Sequence, residues 1–133
     1  MPSHSRSERW VLAVCLLGGA LLTLIGIRYF LTPEGAARTF GISATPTGYE
    51  FHYIIGLRNV WLGLLAIAFA VLRDWRALTL WFGLGAIVCF ADAAIAASST
   101  GRVPQVAFHA GCGVACILLA ALAGWRWRKT TDR

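Results

Sequence analysis

Four long apolar runs separated by polar breaks organise the chain, at residues 10–31, 51–72, 76–98 and 104–125. A helix rises 1.5 Å per residue, so crossing a bilayer takes about 20 residues, and each run meets that length. Backbone N–H and C=O groups find no water in hydrocarbon. A helix satisfies them internally and an open strand does not. The pattern predicts an all-α fold: an integral membrane, antiparallel four-helix bundle forming a single domain over residues 1–133, with both termini on the same side. Arg6 and Arg9 precede the first run as they would in a secretory signal. Its apolar stretch exceeds the usual ~7–15 residues of such a signal, and a retained helix is expected.

The breaks differ in character. "TPEGAARTFGISATPTGYE", Thr32 to Glu50, contains Pro33, Pro46, Gly35, Gly41 and Gly48, which rule out one continuous helix; a short interfacial helix over Glu34 to Phe40 fits its first half. "RDWR" at 73–76 is a tight turn. In "SSTGRVP", Gly101 stops one helix and Pro104 starts the next.

Within the runs, small residues recur at alternating steps of three and four. The stripes are Cys15, Gly19, Leu22, Gly26 and Tyr29; Gly56, Asn59, Gly63, Ala66 and Ala70; Gly85, Cys89, Asp92 and Ala96; and His109, Gly113, Cys116, Ala120 and Ala123. Small side chains at this spacing let helices approach closely in lipid, where packing replaces the hydrophobic effect as the associating force. The stripes are the expected inner faces.

Composition agrees. Of 133 residues 58% are hydrophobic and only 14% charged, too little charge to cover a water-soluble domain of this size. The net charge of +6 would suit nucleic acid if the cations formed a surface stripe, but they flank the runs, which argues against a nucleic-acid partner. Arg6, Arg9, Arg73, Arg76, Arg126, Arg128, Lys129 and Arg133 all fall on one side, against Arg38 and Arg102 on the other. The positive-inside rule then puts both termini in the cytoplasm, with a bacterial inner membrane as the expected location. Trp10, Trp75, Trp125 and Trp127 stand where an aromatic belt on that side would be.

Polar residues inside the runs converge. Arg58 lies six residues after His52, Asp92 six before Ser98, and His109 five after Pro104. On antiparallel helices these offsets reach a similar depth, roughly 9 Å from the outer end. Ionised groups in hydrocarbon cost at least a few kcal/mol and usually face inward and pair. An Arg58–Asp92 ion pair is expected, with His109 beside it as a proton carrier. Arg28, Tyr29 and Asn59 complete the layer, and Glu50, His52, Tyr49 and Tyr53 line its mouth.

Gly56-Leu57-Arg58-Asn59, the following Gly63-Leu64-Leu65, Asp92, Gly101 and His109 resemble a family of small four-helix membrane proteins of bacteria and fungi described as a domain of unknown function, of the DUF4267 type. The resemblance extends from about Leu21 to Leu122. It implies the fold and the polar set and supplies no reaction. Asn59 stands where the family carries Asp, which removes one carboxylate.

Two readings follow for Arg58, Asp92 and His109. One is a network that fixes helix register. The other is a pocket that binds a small lipophilic molecule, with Asp92 and His109 moving protons and Arg58 holding an oxygen. A small-molecule or proton-coupled transporter is the alternative function, although the first helix lacks a carboxylate for a relay and no central helix is broken. His52 and His109 sit at different depths and make a poor bis-imidazole haem site, so no cofactor and no metal are expected. Cys15, Cys89, Cys112 and Cys116 contain no Cys-x-x-Cys and read as small hydrophobes. Expected partners are membrane lipids, a lipophilic small molecule and, compatibly with the pattern, further copies of the chain.

Overall fold

The computed structural model describes residues 6–42 and 48–131. Those residues form five helices: α1 (Arg6–Leu31), α2 (Pro33–Phe40), α3 (Glu50–Leu72), α4 (Trp75–Ser99) and α5 (Val103–Thr131). α1, α3, α4 and α5 are long and apolar enough to cross a membrane. Between 11% and 28% of each spanning window is buried by the rest of the chain, and the remaining surface carries side chains such as Leu17, Leu24, Leu64, Leu84, Ile87 and Leu118. Apolar surface this extensive needs hydrocarbon around it. The chain is a multi-pass membrane protein.

The helices associate as two close pairs, α1 with α3 and α4 with α5, and the contacts between pairs are sparser. Glycine makes the first pair possible. A Cβ on Gly26 would lie 2.6 Å from the Gly56 carbonyl oxygen and 2.6 Å from the Val60 nitrogen, and one on Gly63 would lie 2.6 Å from the Gly19 carbonyl oxygen. Backbone meets backbone at both points, with Gly19 opposite Gly63 and Gly26 opposite Gly56, so numbering falls along α3 as it rises along α1. In the second pair Gly113 seats the Phe90 ring and Gly124 lies against Thr79, again in opposite order.

One end of the molecule gathers the start of α1, the α3–α4 turn and the close of α5. Arg73 forms a salt bridge with Glu8 at 3.5 Å, Arg126 donates to the Ser7 hydroxyl, and Arg76 lies over the Trp127 ring. Arg73 closes α3 with a φ of 55°, and Asp74 opens α4 by accepting a hydrogen bond from the Ala77 N–H at 2.9 Å. Trp10, Trp125 and Trp127 are exposed here as a belt requires. Trp75 is not: it is buried in a core with Val11, Cys15, Ala70, Leu78, Phe82 and Ala123, because it starts α4 on the face turned toward α1 and α3.

At the opposite end α2 caps the bundle. Pro33 begins it, and Gly41 ends it at φ 106°, with the Gly41 and Ile42 N–H groups both donating to the Ala37 carbonyl at 3.1 Å. Gly41 also presses against the α4–α5 turn, where a Cβ would stand 3.1 Å from that of Ala96 and 3.2 Å from that of Gln105. The helix therefore reaches from the end of α1 to the other pair, as the expected interfacial segment does and with contacts the sequence alone does not specify.

Candidate functional site

Polar side chains cluster beneath α2. Tyr29, 2% exposed, projects from α1; Asp92 is half-buried on α4; His109 is buried on α5. Asp92 lies within electrostatic reach of His109 and Arg58, and Tyr29 within reach of Asp92, Arg58 and Arg28. α1, α3, α4 and α5 each contribute to this layer.

Its internal contacts depart from the expected pairing. Arg58 and Asp92 do not form a salt bridge, and Arg58 is exposed rather than buried. The reason lies in the sparse packing of α3 against α4. Helix α3 turns Gly56, Gly63, Ala66 and Ala70 inward, which leaves Arg58 beside the interface, next to half-buried Asn59.

His109 is committed to α2. Its Nε2 lies 3.1 Å from the Phe40 carbonyl oxygen, and the Phe40 ring sits over the imidazole with centroids 4.4 Å apart. A carbonyl only accepts, so Nε2 carries the proton in this contact. Arg28 is likewise engaged with α2, donating to the Thr39 hydroxyl at 2.9 Å and to the Gly35 carbonyl at 3.4 Å.

The residues expected at the mouth divide. His52 packs between Tyr29 and Tyr49, at centroid distances of 6.2 Å and 5.8 Å, with a buried Nδ1 that has no hydrogen-bond partner among the described residues. Tyr53 stacks on Phe30 at 5.8 Å and is 43% exposed; Glu50 is exposed in the first turn of α3. Tyr49 instead reaches α2, its hydroxyl donating to Glu34 at 2.6 Å, and that bond raises the phenol above its usual range.

Sequence reasoning missed the role of α2, whose Phe40 carbonyl, Thr39 hydroxyl and Glu34 carboxylate hold His109 of α5, Arg28 of α1 and Tyr49 just before α3. A backbone carbonyl leaves no residue-type signal. It also set aside Cys89 and Cys116, which lie within electrostatic reach of each other across α4 and α5. That signal was present, since both sit on the stripes that carry Asp92 and His109. No cluster of His, Cys, Asp or Glu among the described residues has the arrangement of a metal site.

No curated protein matches the chain, and no solved structure does. The family model for a domain of unknown function, DUF4267, matches residues 19–125, a stretch that holds both glycine contacts of the α1–α3 pair, α2, Arg58, Asp92 and His109. The chain belongs to the DUF4267 family.

Proposed function

We propose that this protein binds a small lipophilic molecule between its two helix pairs and exposes it to acid–base chemistry from Asp92 and His109, with Arg58 holding an anionic or carbonyl oxygen. The convergence of Tyr29, Arg58, Asp92 and His109 from four helices carries this reading. Intramembrane ionisable groups are expensive, and here an arginine without a salt bridge among the described residues borders a loosely packed seam that lipid can enter. In this reading the bundle is antiparallel and its basic end faces the cytoplasm of a bacterial inner membrane. The polar layer then opens toward the outer leaflet, and α2 lies over it.

The test is mass spectrometry of amphiphiles retained by protein purified in mild detergent. Wild type is expected to hold a lipophile at near-stoichiometric occupancy, and Asp92→Asn and Arg58→Leu to lose it while keeping their thermal unfolding temperature. Equal retention by all three proteins would defeat the proposal. One observation favours a second reading, a structural network: His109 bonds the α2 backbone. That reading expects His109 and Asp92 variants to lose stability and not occupancy.

A further inference from the structure

Two cations share one indole near the end of α5. Arg126 Cζ lies 4.9 Å and Lys129 Nζ 3.8 Å from the centroid of the Trp125 ring. Positions 125 and 129 are neighbours on the helix surface, which brings the ammonium back over the ring, and Arg126 also donates to the Ser7 hydroxyl of α1. The arrangement is thus tied to two helices. Cation–π attraction holds each charge against the indole. A lysine ammonium carries three donors, and contact with a ring leaves Lys129 N–H groups for an acceptor.

Like charges gathered on one ring repel, and the described carboxylates at this end are committed elsewhere. Glu8 is salt-bridged to Arg73 at 3.5 Å, and Asp74 accepts the Ala77 N–H at the start of α4. Arg76, 5.7 Å from the Trp127 centroid, and exposed Arg128 add further positive charge. Among the described residues no carboxylate forms a salt bridge with Lys129, Arg76 or Arg128, and Asp132 lies outside those residues. Depth then selects the counter-ion. Trp125, 46% exposed, stands where the apolar stretch of α5 gives way to basic residues. Indole rings at the end of a spanning helix lie at headgroup level, the level of the lipid phosphates. Anionic phospholipids draw basic residues there, whereas a zwitterionic lipid brings its own cation beside its phosphate.

We propose that Trp125, Arg126 and Lys129 form a seat for the headgroup phosphate of an anionic phospholipid, the phosphate accepting from the guanidinium and the ammonium while the glycerol and upper acyl carbons lie against the indole. Helix α5 buries 11% of its spanning window, against 22–28% in the other three, so it is the helix that gains most from an anchored lipid. Because Arg126 reaches Ser7, the same lipid steadies α5 beside α1. The seat lies at the opposite end of the molecule from the Asp92–His109 layer and does not depend on any lipophile held there.

The experiment is native mass spectrometry of the full chain in detergent, titrated with dioleoylphosphatidylglycerol or dioleoylphosphatidylcholine and counted above any amphiphile already carried. Wild type should bind its first phosphatidylglycerol more tightly than phosphatidylcholine. Lys129→Gln should weaken that first binding roughly fivefold, the contribution of one basic residue at a membrane surface, and Lys129→Arg should keep it. Trp125→Leu leaves the charges in place but removes the ring that gathers them, and should weaken it as well. Arg128→Gln removes the same charge from a neighbour that does not lie on the ring, and should bind as wild type does. Equal losses in Arg128→Gln and Lys129→Gln would reduce the seat to diffuse charge and overturn it, as would unchanged binding in Trp125→Leu or equal affinity of wild type for the two lipids. Displacement of the lipid by an excess of inorganic phosphate would make free phosphate the ligand and overturn the lipid assignment. Asp92→Asn separates the two proposals: it should lose the lipophile of the polar layer and keep phosphatidylglycerol selectivity, and loss of that selectivity would overturn the independence of the seat.

Discussion

Phe40 offers its backbone carbonyl to His109 Nε2 at 3.1 Å while its ring covers the imidazole, so one residue at the end of α2 holds a buried histidine of α5 by two contacts. His109→Phe keeps a ring under Phe40 and leaves its carbonyl unbonded. An orphaned acceptor costs about 1–3 kcal/mol. Amide exchange of Pro33–Phe40 should therefore accelerate in His109→Phe and recover partly in His109→Gln, which restores a donor. Unchanged exchange would show that α2 is held by other means.

The glycine contacts give a contrast within one protein. A Cβ at Gly26 meets backbone atoms at 2.6 Å, and one at Gly83 meets nothing within 4 Å. Gly26→Ala should cost about 1–3 kcal/mol in detergent unfolding as α1 and α3 are forced apart. Gly83→Ala should be neutral or, by helix propensity, stabilising by up to about 1 kcal/mol.

Arg58 and Asp92 sense each other without a salt bridge. A buried ion pair would show several kcal/mol when one partner is lost. Here a double-mutant cycle with Arg58→Leu and Asp92→Leu should give a coupling below about 1 kcal/mol, as exposed pairs do. A larger coupling would mean that the pair closes in the membrane.

The Tyr49 phenol donates to Glu34 only while protonated, and that bond raises its folded-state value above its unfolded one. Its contribution is complete below the ordinary phenol range near ~10 and disappears as pH climbs through the raised folded value. Phenolate absorbance should show one tyrosine titrating late, and Glu34→Gln should bring it down. An unshifted curve in both proteins would remove the contact.

Orientation is open to labelling. In a chain freed of its four cysteines, a cysteine placed at Thr100 should react with an impermeant maleimide added to intact cells, and one at Thr130 should not. The reverse pattern would turn the polar layer toward the cytoplasm.

Hydrophobic length and turn chemistry determined much of this protein without any tertiary information. The four spanning helices begin and end within a few residues of the apolar runs, apart from the added turns of α1 and α5, because hydrocarbon thickness and backbone satisfaction leave few alternatives. The glycine stripes likewise marked α1 and α3 as faces for close approach, and Pro33 and Gly41 bracketed α2. Partner choice was another matter. A 3.6-residue period assigns a face to each helix but neither its neighbour nor its rotation, and in lipid that choice falls to atom-by-atom packing. Packing joined α1 to α3 and α4 to α5, drew Trp75 from the belt into the core, and left Arg58 beside a seam instead of across a salt bridge. It also brought the Phe40 carbonyl to His109, because a contact between residues 69 positions apart depends on how whole helices dock.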